Sequence, residues 1–423
     1  MRPPAAAAPA PGQQTAYSPA VTTVPQSTSV GTPIAAVLTR PPAPRPLHAA
    51  APQPPIALPV PLHLAEQPPA PAPVLDTVER QERSIRVGQI LSWQLALVMV
   101  GAATAGSRVV LILTAVAALS LVLLTAVRFR GMWLYRWAGV LLAFLTRHRR
   151  IDLPADTAIN LVSLFCGRTS TSSLVVREQP YGVLSRPAGA SVALRVGADA
   201  QYELLQRMGS LADSADEQPV DVTVQLVLHK GTKQSQPARA WIAVCATRSA
   251  EIATDEQVGQ VLANTVRRMV RRFDREQLEC MPLDESDLLA SIGALAHANA
   301  GRGQLRERWT SWAAGPVLQV GIRLTGFARL SQPVAKALIS TLLGTGTGAA
   351  QTIAITVAAP TDDTEPTLYD AVLRVAASHP ATLDTAITVL TTLARSCGIE
   401  PERLDGRHAT GVAATLPLGV PLS

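Results

Sequence analysis

The chain of 423 residues carries a net charge of +6, 48% apolar residues, only 4% aromatic residues and a mean hydropathy of +0.21. That length allows two or three domains, and the positive hydropathy points to membrane segments among them. No aromatic-interleaved basic groove for nucleic acid is visible, and four scattered cysteines (Cys166, Cys245, Cys280, Cys397) without a CxxC pair argue against a zinc site or a disulfide framework.

Residues 1–75 hold 20 of the 34 prolines, mixed with Ala, Gln, Ser and Thr. Such a composition buries no core and favours extended polyproline conformations, so a disordered Pro/Ala-rich arm is expected. Met1 is followed by this run and not by a basic and then an apolar region, so no cleavable signal peptide is expected.

Residues 76–150 form the membrane region. Two uncharged runs, about 87–107 and 109–127, are separated only by Arg108. One helix over the whole run would be ~60 Å long, twice the ~30 Å hydrocarbon core, whereas two helices of about 20 residues each fit it. The first run carries small residues, among them Gly101 and Ala105, which would let another helix approach closely. Arg80, Arg83 and Arg86 precede the hairpin, Arg128, Arg130, Arg136, Arg147, Arg149 and Arg150 follow it, and Arg108 stands alone at the tip. The positive-inside rule then predicts both ends in the cytoplasm. Trp133, Trp137, Leu141 and Phe144 recur at helical spacing beside these arginines, as expected of a juxtamembrane helix at headgroup level or of an extension of the second span. The two tryptophans offer an aromatic face suited to a partner subunit.

Residues 151–423 read as a mixed α/β cytosolic domain. Alternation predicts strands at 191–196, 220–228, 238–246, 317–325, 351–359 and 367–376, with a weaker pair at 173–178 and 181–184. Helices are predicted from Asp255 to about residue 277, at 332–343 and 380–397, near 284–296, and at 199–211. These elements recur at an offset of roughly 130 residues, giving two halves, about 173–312 and 313–423. Each half reads βαββα, and a closing strand near 304–312 or 409–416 would complete two ferredoxin-like βαββαβ repeats.

Catalytic signatures are scarce. No GxxxxGK[ST] phosphate loop occurs, and the glycines at 344, 346 and 348 follow a helix, whereas phosphate loops open one. They read as a helix stop and loop. Asp362, Asp363 and Glu365 suit a turn better than a metal site, although Asp362 and Asp363 would be the metal ligands if the chain were a membrane-anchored enzyme such as an inner-leaflet transferase. His229, His297, His379 and His408 match no metal-ligand spacing and are expected at the surface or at caps. The predicted helix from Asp255 carries Arg267, Arg268, Arg271, Arg272 and Arg275, either a solvated face or a contact for an acidic partner or anionic lipid.

A two-span hairpin, an arginine-rich collar with spaced tryptophans (Arg128, Arg130, Gly131, Trp133, Leu134, Trp137, Arg147, Arg149, Arg150) and a following α/β domain resemble EccE, a membrane component of the type VII (ESX) secretion machine of actinobacteria. The likeness takes in the ARAWIAVCATR strand, the acidic-to-basic helix after it and the segment 283–296, so it spans roughly residues 87–300. It does not extend to the proline-rich arm or the second half. The resemblance implies a non-enzymatic subunit of the inner-membrane complex, without cofactor, metal or catalytic residues. Its implied partners are EccD-like and EccB-like subunits and the EccC-like ATPase.

Overall fold

A computed structural model describes residues 87–129, 132–152, 157–213, 220–233, 235–298, 304–359 and 368–422. The proline-rich arm, Arg80, Arg83, Arg86, Arg130 and the acidic residues at 362, 363 and 365 lie outside these.

Two apolar helices, α1 (Val87–Ala103) and α2 (Arg108–Ala126), form an antiparallel pair. A turn at Thr104–Gly106 separates them, and the Ser107 side chain caps the first turn of α2 through the Val110 N–H. By length and composition α2, at 19 residues, is long enough to cross a membrane, whereas α1 has 17 and ends four residues before the expected boundary at 107. Its end is local: Gly101 and the Thr104 hydroxyl, which donates to the Gly101 carbonyl, favour a turn over another helical repeat. A two-residue hairpin, β1 (Arg128–Phe129) with β2 (Met132–Trp133), breaks the chain before helix α3 (Leu134–Thr146). The juxtamembrane segment is therefore a separate helix and not an extension of α2.

The remainder is a mixed α+β body around a thirteen-stranded antiparallel sheet. In chain order come β3 (Arg150–Asp152), α4 (Thr157–Cys166), β4 (Ser170–Val176), β5 (Gln179–Arg186), β6 (Gly189–Val196), α5 (Gln201–Asp213), β7 (Val222–Lys230), β8 (Arg239–Thr247), α6 (Asp255–Arg275), β9 (Cys280–Pro282) and α7 (Glu285–Ala296). Then follow β10 (Gln304–Arg308), β11 (Ser311–Ala314), β12 (Val317–Thr325), α8 (Gln332–Gly344), β13 (Ala350–Ala359), β14 (Leu368–Ala377), α9 (Pro380–Ser396), β15 (Glu400–Arg403) and α10 (His408–Ala414).

The pairings repeat. The first half reads β9-β6-β8-β7 across the sheet and the second β15-β12-β14-β13, and the two are joined where β7 pairs with β13. The fourth strand of each set is β9 or β15, whereas the segments 304–312 and 409–416, expected to close the two halves, do not pair there. The first of those forms most of the β10–β11 hairpin and the second overlaps helix α10. Strands of three and four residues that contain Pro282 and Pro401 give no alternation to read. Because β11 pairs with β12, the β10–β11 hairpin sits with the second half. Helix α4 was not anticipated.

Alternation divides the side chains of the sheet between two faces. On β7, Val222, Val224, Leu226 and Leu228 enter a large aliphatic core covered by α5, α6, α8 and α9. The intervening Val227 faces a smaller core under α4, α7 and α10. This second face buries polar groups. Arg374 Nη1 donates to Gln319 Oε1 (2.9 Å), Gln319 Nε2 donates to the Ala296 carbonyl (2.8 Å), and His229 Nδ1 lies 2.9 Å from Thr352 Oγ1. With α10 packed this tightly, a Cβ on Gly321 would lie 3.2 Å from the Gly411 Cα and 3.1 Å from the Leu404 side chain, so a side chain at either glycine makes Leu404 or α10 shift by a few tenths of an ångström.

Candidate functional site

The base of the helical hairpin is pinned by polar contacts between its own helices. Gln89 Nε2 donates to the Thr125 carbonyl (2.8 Å) and Trp93 Nε1 donates to Thr125 Oγ1 (2.9 Å). Ala96, Ala103 and Ala118 are the small buried residues of the pair. Gly101 and Ala105 instead lie exposed near the tip, and nothing stands within 4 Å of where a Gly101 Cβ would be. Around the outside Leu91, Leu95, Leu97, Val98, Ile112, Leu113, Val116 and Leu119 are all more than half exposed. So large an apolar surface is not left in water by a folded chain.

Below the hairpin the chain's own aromatics dock α3 onto the sheet. Trp133 is only 8% exposed, with the Arg128 guanidinium 4.4 Å from its ring centroid. Trp137 and Phe144 both meet Trp309, in the turn between β10 and β11, at centroid distances of 5.8 and 5.2 Å. The aromatic face expected to greet a partner is therefore used within the chain. Gly406 completes the fit: its φ of +73° suits glycine, and a Cβ there would lie 2.6 Å from the Trp309 ring. Trp309→Ala is expected to weaken this docking by about 2–4 kcal/mol, somewhat less than the ~3–5 kcal/mol for a core tryptophan because Trp309 is half-buried. Hydrogen exchange should then quicken across 134–146 while the β7 amides keep their protection; unchanged exchange in α3 would mean that the hairpin alone holds it.

At the C-terminal end of α3 the collar borders an open cavity of about 770 Å³. Its walls are the 144–150 segment on one side and 306–309 of β10 and its turn on the other. The two strands are antiparallel, with Arg306 directly opposite Arg150, and the Glu307 N–H donates to the Arg149 carbonyl. Five arginines (147, 149, 150, 306 and 308) and His148 line the cavity. The single carboxylate among its lining residues, Glu307, is already engaged. It pairs with Arg147 at 3.2 Å and accepts from the Ala409 N–H at the start of α10, with its side chain 2% exposed. The Arg149 guanidinium lies 5.2 Å from the Phe144 ring centroid. Arg306 and Arg308 occupy the exposed face of β10, whose intervening Leu305 and Glu307 are buried.

Of the predicted collar residues, the fold thus brings Arg147, Arg149 and Arg150 into one cavity and leaves Arg128 on Trp133. The sequence reading missed Arg306, Arg308 and Trp309. The available signal was the run Gln304–Arg308, QLRER, in which a basic face alternates with a buried one.

The arginines of α6 divide by role. Arg272 ties α6 to α5, donating to the Ser210 carbonyl and hydroxyl (2.9 Å each) and pairing with Glu276 at 3.0 Å. Arg267 donates to Asn264. Arg268, Arg271 and Arg275 are exposed. Two histidines correct the expectation of surface or capping positions. His229 and His408 are buried under the second face, whereas His297 and His379 do flank α7 and α9 as helix caps. Burial lowers the His229 pKa to about 3, aided by nearby Arg374, and the His297 pKa to about 4. All four cysteines are free thiols, and burial pushes Cys280 up to about 12. No group of three or more His, Cys, Asp or Glu suited to a metal occurs among the described residues.

No protein-family model matches the chain, and no curated protein matches it.

Proposed function

We propose that this chain is a non-enzymatic structural subunit of an inner-membrane type VII (ESX) protein secretion complex, similar to EccE. In this reading α1 and α2 both span the bilayer, and the α+β domain lies in the cytoplasm with both termini. The observation that carries it is the exposed apolar sheath of the hairpin, which stands directly above a collar of arginines while Arg108 is alone at the tip. A 17-residue helix extends ~26 Å, somewhat less than the ~27–30 Å hydrocarbon core, so local thinning or the Thr104–Gly106 turn would complete the first crossing.

We read each half of the cytosolic sheet as a ferredoxin-like βαββαβ unit, on the strength of the shared strand order and the repeat in sequence. The partners implied are EccB- and EccD-like subunits and the EccC-like ATPase. Arg268, Arg271 and Arg275, exposed on α6, and the open Gly101–Ala105 surface are the surfaces we assign to them. A tagged full-length chain extracted in mild detergent is expected to bring down a much larger assembly that contains an ATPase. Recovery only as a free monomer, at detergent concentrations that preserve other membrane complexes, would overturn the assignment.

A further inference from the structure

The cavity between the end of α3 and the β3–β10 strand pair has a property that a solvated basic surface does not need. Arg150 and Arg306 are directly opposite in register on neighbouring strands, with Arg308 two residues further along the same exposed face. Like charges directly opposite in a sheet destabilise it. Glu307, the only carboxylate in the lining, is turned away toward Arg147 and the α10 amide, so it does not offset Arg306 or Arg308. The strands are nonetheless paired through Gln304–Asp152, Leu305–Ile151 and Arg306–Arg150. A volume of about 770 Å³ lies within the ~300–1,000 Å³ of small-ligand pockets.

We infer that this cavity binds a phosphate-bearing anion, and that its occupant is the headgroup of an anionic phospholipid. Guanidinium forks suit phosphate oxygens, and an anion between Arg150, Arg306 and Arg308 converts their repulsion into charge-assisted hydrogen bonds. The choice of lipid over a soluble phosphate rests on the membrane placement proposed above. The cavity adjoins α3, whose Leu141, Leu142 and Leu145 are exposed, so a headgroup held by the arginines would leave its acyl chains beside an apolar helix face.

The test uses the full chain in a neutral detergent, following its thermal unfolding with added phosphatidylglycerol, phosphatidylcholine or inorganic phosphate. Phosphatidylglycerol at about ten times its dissociation constant is expected to raise the midpoint by about 2–4 °C, with phosphatidylcholine inert and inorganic phosphate far weaker. Arg306→Gln is expected to do two opposite things: raise the midpoint of the lipid-free protein by relieving the repulsion, and remove most of the lipid-dependent rise. Arg308→Gln should also reduce that rise, while Arg395→Gln, the same charge change on exposed α9, should leave it intact. An equal response in all three variants, or none in the unmodified chain, would overturn the site. A response to inorganic phosphate equal to that to the lipid would keep an anion site but overturn the lipid assignment. None of these results depends on recovery of a secretion complex, so failure of the partner assignment would be seen separately.

Discussion

Gln225→Ala is expected to cost about 3 kcal/mol, because one buried side chain bonds three buried backbone groups at once and two of them have no other partner. On the second face of β7, Gln225 is 0% exposed. Its carbonyl oxygen accepts from the Leu418 (3.1 Å) and Gly419 (2.9 Å) N–H groups, and its amide donates to the Ala414 carbonyl (2.7 Å). Truncation leaves the Gly419 N–H and the Ala414 carbonyl without their partner, at ~1–3 kcal/mol for each buried orphan, while the Leu418 N–H keeps its second acceptor, the Leu416 carbonyl (2.7 Å). Water entering the space left by the side chain would recover part of that, which places the estimate in the lower half of the sum. The loss should be localised to the tail that crosses the sheet after α10. Hydrogen exchange at Leu418 and Gly419 should quicken before that of β7 and β13. Retained protection there would show that Leu416, Leu418 and Leu422 hold the segment by apolar packing alone.

Acid should unfold this domain earlier than its carboxylates alone would predict. The folded pKa values of His229 and His297 lie at about 3 and 4, depressed from 6.5 chiefly by burial, with Arg374 adding to both and Arg239 to His229. Between pH 6.5 and 4 the unfolded chain therefore binds protons at both positions while the folded chain binds few. Stability is lost as pH falls through this window, at about 1.4 kcal/mol per pH unit for each histidine. The two together remove roughly 3 kcal/mol between pH 6.5 and 5, because the unfolded histidines are only half protonated at the upper end. His408, lowered in the same direction by burial, adds to the slope, although Asp405 opposes it. Unfolding midpoints of the full chain in detergent, measured across pH 4.5–7.5, should show this dependence, and His229→Gln should make it shallower. An unchanged slope in that variant would mean that His229 is solvated in the folded protein.

The acid prediction and the anion site rest on different charge arrangements. Arg374 is fully enclosed and is lowered to about 9 by burial, and among the described residues its guanidinium donates to Gln319 and Thr352 and meets no carboxylate. The collar arginines are open to solvent and oppose one another. The former arrangement organises a core, whereas the latter is poised for a ligand.

Much of the secondary structure was legible because its signals are local. The six predicted strands from 191 to 376 appear within two or three residues of their expected bounds, since each alternates or runs apolar across a sheet buried on both sides. Helix α6 was marked by Thr254, whose side chain forms a capping box with Gln257, and by the apolar stripe Val258, Leu262, Thr265, Met269 and Phe273. The recurrence at an offset of roughly 130 residues likewise follows from the order of those signals.

Tertiary structure alone decided the rest. Strands β9 and β15, of three and four residues, carry no period of their own and pair only the stretches of β6 and β12 that β5 and β11 leave uncovered. That the second face of the sheet would take Gln225, His229, Gln319 and Arg374 could not be read from strands whose two faces both looked buried. The collar shows the limit most clearly. Sequence alone placed Arg147, Arg149 and Arg150 in the segment that follows the apolar hairpin, by order along the chain. What stands opposite them, Arg306 and Arg308, and the Trp309 ring that receives Trp137, came from a distant stretch of chain. A pairing register is set by the whole sheet and not by the residues that share it, so only the folded chain could bring these charges face to face.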